Sequence, residues 1–172
     1  MNPIEIRVAT IADLDLLQKL SIKTFTETFE AVNTAENLAD YIKNSFNAKQ
    51  LTKELNNENS QFYIANSETI AVGYLKINFG DAQTEDIDGN ALEIHRIYVL
   101  QTFQNKNIGQ LLLNKAINTA KSNSTSNIWL GVWEKNHKAL QFYSKNGFVV
   151  FDKHIFTLGN DNQTDLLMQL VI

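Results

Sequence analysis

The sequence predicts an α/β protein of the α+β type, in which helices cover both faces of a mostly antiparallel sheet. Segments of strand character and amphipathic segments of helical period are interleaved along the chain. Two pairs of strand segments are separated by short polar turns, which is typical of antiparallel hairpins. A helical segment joins the strands at residues 91–99 and 128–133, which predicts one parallel, right-handed β-α-β crossover.

The first third of the chain is mainly helical. Asp13 offers a side chain that can cap a helix. Leu14, Leu17 and Leu20 then recur at helical spacing. The segments assigned here are a strand at residues 4–8 and helices from Asp13 to about Phe29, at 35–46 and at 48–55.

The middle of the chain holds a hairpin and then an apolar strand. The segments are strands at residues 61–65, 70–79 and 91–99, a turn at 66–68 and a polar, acidic loop at 80–90. The last strand is apolar apart from Glu93, His95 and Arg96. We therefore expect it to lie at the centre of the sheet, covered on both faces.

The last third returns to helical periodicity and ends in a second hairpin. Ile108, Leu111 and Leu112 begin the apolar stripe of an amphipathic helix. Gly147 is well placed to end the next helix. The segments are a helix from Ile108 to about Ala120, a loop at 122–126, a strand at 128–133, a helix at 136–145, and strands at 148–158 and 164–171 around a turn at 159–162.

Length and composition narrow the class of protein. The chain has 172 residues, which we assign to one domain spanning residues 1–172. A formal net charge of -4 argues against nucleic-acid binding. The lack of cysteine excludes disulfides, thiolate metal sites and a cysteine nucleophile. We find no signal peptide, no apolar run of the ~20 residues that a membrane helix needs, and no zinc-like spacing of histidines. We therefore expect a cytoplasmic protein that holds no metal.

The junction between the central strand and the next helix carries the clearest functional signal. The chain leaves the strand at Val99, crosses a polar loop and begins a helix at Ile108. The free N–H groups and positive dipole end of a helix start form a seat for an anion. Gly109 would let a ligand approach the backbone, and Lys106 would add a charge. Neither a Rossmann nor a Walker loop is present, and an ordinary strand-to-helix connection is the alternative.

Two segments resemble the signatures of the GNAT N-acetyltransferases. The run Gln104-x-x-Asn107-x-Gly109 is similar to the Q/R-x-x-G-x-G/A loop that holds the coenzyme A pyrophosphate in that family. Residues 133–148 are similar to its second signature, with an asparagine that opens a helix, then F-Y and then G-F. Asn107 replaces the middle glycine of the loop. Because asparagine tolerates left-handed backbone angles, we expect the loop to keep its shape.

The resemblance implies acetyl-coenzyme A as co-substrate. The implied coenzyme-binding residues are Tyr98, Val99, Gln104, Asn105, Lys106, Asn107, Ile108, Gly109, Asn136, Tyr143 and Lys145. Tyr98 and Val99 would act through their backbone groups. Asn136 is a helix cap, a partner of the pantetheine arm, or both. Lys145 either approaches the coenzyme or is a solvated surface lysine.

The resemblance also implies direct transfer to a primary amine in a ternary complex. Tyr143 matches the family tyrosine that lies near the coenzyme sulfur and would act as the acid, the alternative being a core tyrosine. Glu93 matches the strand glutamate that serves as base in some members, through water; a carboxylate in an apolar strand is costly without a function or a partner. His95, on the same face by strand alternation, is a rival base or a core histidine.

Acidic side chains of the first helices are assigned to the acceptor. The substrate-binding residues assigned are Glu27, Glu30 and Glu36, with Asp40 nearby and Asp81, Glu85, Asp86 and Asp88 in the following loop. Residues 24–37 resemble the polyamine-acetylating branch of the family, which includes bacterial spermidine/spermine acetyltransferases. Carboxylates would suit such a polycation. A solvated acidic surface is the alternative.

Two other functions are compatible with the sequence. One is acetyl transfer to a protein N-terminus, a lysine or another small amine. The other is a non-catalytic regulatory module that binds acetyl-coenzyme A. The presence of Tyr143 and Glu93 argues against this module, whereas the substitution at Asn107 favours it. A monomer and a homodimer are both compatible.

Overall fold

The computed structural model describes residues 3–87, 89–159 and 161–172. Its elements are β1 (Ile4–Val8), α1 (Leu14–Phe29), α2 (Ala35–Ser45), α3 (Ala48–Leu55), β2 (Ser60–Ser67), β3 (Ile70–Phe79), β4 (Ala91–Val99), α4 (Ile108–Ser122), β5 (Asn127–Trp133), α5 (His137–Lys145), β6 (Val149–Leu158) and β7 (Asp161–Val171). Short 3₁₀ turns occupy Ile11–Asp13, Gly80–Ala82 and Gln101–Phe103. Asp88 and Asn160, which the sequence assigns to the acidic loop and the final turn, lie outside the described residues.

The strands form one 7-stranded sheet in the order β1-β2-β3-β4-β5-β7-β6. Neighbouring strands are antiparallel except β4 and β5, which are parallel. The crossover between these two strands passes through α4. The predicted fold class is therefore confirmed, and the apolar strand β4 lies at the centre of the sheet.

Helices cover both faces of the sheet, as predicted. On one face, α4 and α5 bury side chains such as Leu112 and Tyr143 against Leu130 of β5. On the other face, α1 packs Leu17 against β3, next to Tyr74, and α2 and α3 extend this layer. Within the described ranges, none of the helices combines the length and apolar character needed to cross a membrane.

Local hydrogen bonds explain where several elements begin and end. The side chain of Thr34 accepts a hydrogen bond from the Asn37 N–H at the start of α2, and Asn47 does the same for Gln50 at the start of α3. Gly147 has a φ of 89° and ends α5, as predicted. β2 and β7 are longer than predicted because cross-strand pairing continues into polar residues that carry no apolar signal.

A buried ion cluster connects α3 to the centre of the sheet. The guanidinium of Arg96 in β4 donates to both carboxylate oxygens of Glu54 in α3, at 2.7 and 3.1 Å. The ammonium of Lys76 in β3 lies 3.1 Å from the same carboxylate. All three side chains are buried. This pairing accounts for the charged Arg96 in an otherwise apolar strand.

Candidate active site

The two parallel strands separate towards their C-terminal ends. β4 and β5 pair at Ala91–Asn127, Leu92–Ile128 and Glu93–Trp129. In the described chain no further pair joins them, although both strands continue for several residues. The edge of β4 that faces this gap therefore presents backbone N–H and C=O groups that β5 does not take up. An extended ligand arm can enter such a gap and continue the ladder.

The loop that follows β4 has the backbone geometry of an anion seat. Asn105 and Asn107 adopt left-handed φ angles of 59° and 64°. Left-handed residues in a turn bring successive backbone N–H groups to one side, and the start of α4 at Ile108 adds its dipole. Asn107 thus has the left-handed geometry that was expected of it. The left-handed Asn105 was not predicted.

The side chains around this loop leave its backbone accessible. A β-carbon placed on Gly109 would lie 3.9 Å from Cζ of Phe142, an ordinary contact, so packing within the protein does not require glycine there. Gln104 donates to the Val99 carbonyl at 3.3 Å and accepts a 2.6 Å hydrogen bond from Nζ of Lys138 in α5. The sequence did not predict this link to α5. The geometry fits a ligand that needs the room left by Gly109.

Lys106 and Lys145 are both exposed cations. Nζ of Lys106 lies 4.5 Å from the centre of the Phe103 ring, beside the loop. Lys145 lies in the last turn of α5, where its charge complements the negative end of the helix dipole. Solvation accounts for both side chains, and contact with a coenzyme stays a prediction for each.

Tyr143 is held in the core with its hydroxyl unused. The residue is 7% exposed, and its ring packs edge-on against Phe142 and Phe148. Among the described residues, no group forms a hydrogen bond with the hydroxyl. Burial raises the pKa of Tyr143 well above its ordinary value of 10.0, so the hydroxyl stays protonated at neutral pH. The side chain therefore packs in the core and carries a proton that it can donate.

Glu93 is buried at the last position where β4 and β5 pair, and it is 2% exposed. One carboxylate oxygen accepts hydrogen bonds from Nδ2 of Asn78, at 2.9 Å, and from the backbone N–H of Thr84, at 3.0 Å. The other accepts a 2.5 Å bond from the Thr84 hydroxyl. Burial raises the pKa of Glu93, and the Thr84 and Asn78 hydrogen bonds oppose that rise. Glu93 is thus a partnered carboxylate whose proton affinity is higher than normal.

His95 lies at a bulge in β4. The register shifts between Ile77, paired with Ile94, and Lys76, paired with Arg96, so that His95 has no partner residue on β3. Strand alternation therefore cannot be used to place His95 and Glu93 on one face. Nδ1 of His95 is buried without a hydrogen-bond partner in the described chain. Burial and the neighbouring cations keep the pKa of His95 well below 6.5, so the ring is neutral.

Asn136 and Tyr98 have structural contacts of their own. Oδ1 of Asn136 accepts a 3.2 Å hydrogen bond from the Ala139 N–H and caps α5, which confirms the cap interpretation. The ring of Tyr98 stacks on Tyr74, with centroids 5.9 Å apart, under the layer formed by α1. The side chain of Tyr98 is therefore part of the core, and its backbone is what it can offer to a ligand.

The structure does not gather the three assigned acceptor carboxylates. Oε2 of Glu27 accepts a 2.8 Å hydrogen bond from the Gln101 N–H, which ties α1 to the turn after β4. Glu30 lines an open pocket of about 450 Å³ between α1 and α2. Glu36 and Asp40 line a different pocket of about 610 Å³ between α2 and the end of β6. A joint role of these residues in holding one acceptor is not supported by their placement.

The loop between β3 and β4 crosses the face of the sheet opposite α4. Gln83 accepts a 2.7 Å hydrogen bond from the indole of Trp129 in β5. Thr84 binds the carboxylate in β4, as described above. Glu85 lies 2.6 Å from Nδ1 of His154 in β6. Three consecutive loop residues thus contact three different strands, β5, β4 and β6. Among the described acidic residues of the loop, Glu85 makes this contact, whereas Asp81 binds Asn59 and Asp86 is exposed.

The sequence analysis missed the space left by the absent side chain of Gly131 in β5, which we call the Gly131 pocket. Gly131 is exposed in the middle of a strand, and a β-carbon there would lie 3.7 Å from Oδ2 of Asp165 and 3.9 Å from Cε1 of His154. Trp133 and Phe29, with ring centroids 6.4 Å apart, bound the same face. The sequence did contain two signals of this pocket: Gly131 lies inside one predicted strand, and Asp165 lies inside another.

Comparison with known proteins shows the family of this chain. The model of the Acetyltransferase (GNAT) family matches residues 18–148. An uncharacterized N-acetyltransferase from Lactobacillus delbrueckii subsp. lactis is 36% identical to this chain. The match covers 95% of this chain and 96% of the relative. A spermidine N(1)-acetyltransferase from Thermoplasma acidophilum is 26% identical, covering 87% of this chain and 90% of the relative.

A solved structure has the same fold. The PaiA N-acetyltransferase from Thermoplasma acidophilum, determined in complex with coenzyme A, superposes with a TM-score of 0.81 at 25% identity. The match covers 99% of each chain. The separated strands and the loop at the start of α4 therefore occur in a chain whose fold is shared with a coenzyme A-binding acetyltransferase.

Proposed function

Because this chain belongs to the GNAT acetyltransferase family and is an N-acetyltransferase, we propose that it transfers the acetyl group of acetyl-coenzyme A to a primary amine of a polyamine such as spermidine or spermine. The observation that carries the proposal is the gap between β4 and β5, which opens next to the left-handed loop at the start of α4. The T. acidophilum spermidine acetyltransferase among the relatives supports the choice of acceptor.

The coenzyme is assigned to the gap and the loop. Backbone N–H groups of residues 104–109 would hold the pyrophosphate, and Gly109 would allow its close approach. The free edge of β4 at Tyr98 and Val99 would hold the pantetheine arm. Acetyl-coenzyme A supplies the acetyl thioester, and the protein supplies position and proton transfer.

Tyr143 and Glu93 are assigned the two proton transfers. The amine nitrogen forms a bond to the acetyl carbon as the carbon–sulfur bond breaks. Tyr143 gives its proton to the leaving thiolate, which suits a hydroxyl that is protonated and unpartnered. Glu93, through water, takes the proton that the nitrogen loses, and its raised pKa brings its proton affinity closer to what a base near neutral pH needs.

Release of free thiol from acetyl-coenzyme A, measured with a panel of amines, tests the proposal. The panel holds spermidine, spermine, a lysine peptide, a peptide with a free N-terminus and an amino acid. We expect saturable release with the polyamines, and a kcat about 10²- to 10⁴-fold lower for Tyr143→Phe with unchanged coenzyme affinity. Gly109→Ala is the matched binding variant: it should weaken coenzyme binding while the melting temperature is kept.

The other outcomes decide between the alternatives. Release only with the peptide N-terminus would replace the polyamine by a protein acceptor, a possibility favoured by an N-alpha-acetyltransferase from Sulfolobus acidocaldarius that is 25% identical over 91% of this chain. Coenzyme binding without release for any amine would support a non-catalytic binding module.

A further inference from the structure

The Gly131 pocket lies on the face of the sheet opposite α4. Ile128, Leu130 and Val132 of β5 pack in the cluster beneath α4. Strand alternation therefore directs the intervening positions to the opposite face, where Gly131 is exposed. Gly131 is two residues beyond the last β4–β5 pair, so the pocket adjoins the gap. Because Gly131 has no side chain, this face has room for a ligand.

Asp165 faces this room with unused hydrogen-bonding capacity. Its side chain is 16% exposed, and its nearest charged partner is Nε2 of His154, 3.8 Å from Oδ2 and beyond hydrogen-bond distance. No donor in the described residues forms a hydrogen bond with the carboxylate. By contrast, the carboxylate of Glu93 in β4 accepts three hydrogen bonds. A mostly buried carboxylate without donors is costly, and a ligand with N–H groups would reduce that cost.

The charges around the pocket favour a cation. The carboxylates of Asp165 and Glu85 both lie near one imidazole, that of His154, at 3.8 and 2.6 Å. The set is negative in either protonation state of the imidazole when the carboxylates are ionised. In the described chain, no group of three or more carboxylate or imidazole side chains is arranged to hold a metal ion, which favours an organic cation.

Two lysines near this face have contacts of their own. Lys76 interacts with Glu93 but its ammonium is bound by Glu54. Nζ of Lys135 lies 6.0 Å from the centre of the Trp133 ring. The Trp133 and Phe29 rings add an apolar wall against which an alkyl chain or an ammonium can pack.

We propose that Asp165 binds an ammonium group of the acceptor above Gly131, and that the enzyme thereby selects amines that carry a second amino group. The inference rests on the proposed function. A carboxylate stabilises the protonated form of an amine, whereas the attacking nitrogen must be neutral. The nitrogen held by Asp165 is therefore not the one that is acetylated. A substrate that places one nitrogen at the acetyl group and another at Asp165 has at least two amino groups on a flexible chain.

Calorimetric titration of the coenzyme A-bound protein tests the proposal without turnover. The ligands are 1,4-diaminobutane and n-butylamine, which have the same carbon chain and differ by one amino group. We expect the wild type to bind the diamine at least about tenfold more tightly than the monoamine, as a charge-assisted hydrogen bond allows. Asp165→Asn should abolish that preference. Asp152→Asn, which removes the same charge from exposed Asp152 of β6, should keep it.

A second variant covers the case in which Asp165→Asn does not fold. A β-carbon at Gly131 would meet its neighbours at 3.7 Å or more, so Gly131→Ala should fold and yet fill the floor of the pocket, weakening diamine binding about tenfold or more. Equal affinity of the wild type for the two amines, or diamine binding that neither variant changes, would overturn the inference. Diamine binding that depends on Asp165, without thiol release from acetyl-coenzyme A, would instead retain this site and reject the proposed activity.

Discussion

Glu93 carries two opposing influences on its pKa. Burial raises the pKa above the ordinary 4.5 of a glutamate, and the hydroxyl and N–H of Thr84, with the amide of Asn78, limit the rise by stabilising the carboxylate. A base must be deprotonated, so activity should fall as pH drops through this raised pKa. In a plot of kcat against pH, the midpoint of the acidic limb is therefore expected above pH 4.5.

Thr84 provides a direct test of that assignment. Thr84→Ala removes the 2.5 Å hydrogen bond to Glu93 and keeps the backbone N–H. Because the lost bond stabilised the ionised form, the pKa of Glu93 should rise further and the acidic limb should move to higher pH. Thr84→Ser keeps a hydroxyl and should leave the limb in place. A profile that is the same for all three proteins would remove Glu93 from the role of base.

At the scale of elements, the loop before α4 depends on backbone angles more than on side chains. Asn107 occupies a left-handed conformation. Glycine adopts this conformation without steric cost and asparagine tolerates it, whereas for most other residues it costs roughly 1–2 kcal/mol of conformational free energy. Its side chain does not cap α4. The backbone geometry of Asn107 thus sets the direction of the N–H groups at the helix start.

Substitutions at Asn107 should follow this backbone preference. Asn107→Gly should keep or improve coenzyme A affinity, whereas Asn107→Val should weaken it by about tenfold, since about 1.4 kcal/mol of strain corresponds to that factor. Calorimetric titration with coenzyme A measures both. A loss of affinity in Asn107→Gly as large as in Asn107→Val would mean that the asparagine side chain itself binds the coenzyme.

For the whole molecule, the ion cluster at Glu54 joins the α1–α3 layer to the sheet. Burial alone would raise the pKa of Glu54, but the charges of Arg96 and Lys76 lower it. The cluster has two cations for one carboxylate. Because Lys76 is buried and lies near the charge of Arg96, its pKa is lowered to about 8. Arg96, which cannot lose its proton, is the cation that depends most on Glu54.

The two partners of this cluster should therefore respond differently to mutation. Glu54→Gln leaves buried cations unpaired and should lower the free energy of unfolding by about 3–5 kcal/mol at pH 7. Lys76→Met keeps the Arg96–Glu54 pair and should be neutral or stabilising. Urea unfolding measures both. Since the folded pKa of Glu54 is lowered, its contribution is present above pH 4.5 and lost as pH falls through the folded value. Equal destabilisation by both variants would show that the lysine contributes as much as the arginine.

Much of the fold and part of the site could be predicted because their signals are local. Helices and strands differ in apolar period, so β4 and α4 were assigned with the bounds that the structure shows at Ala91–Val99 and from Ile108. The anion-seat loop between them lies within a few residues of chain. Asn107 was expected to accept a left-handed angle because that tolerance is a property of the residue itself.

The remaining features depend on residues that are distant in sequence. Glu27, Glu30 and Glu36 are close along the chain, yet their side chains reach three different places, because neighbouring turns of α1 and α2 face different parts of the protein. Gly131 and Asp165 are far apart in sequence and meet only because β5 pairs with β7. Periodicity reveals which residues share a face of one element, but the contacts between elements come from packing and strand register, which local sequence does not encode.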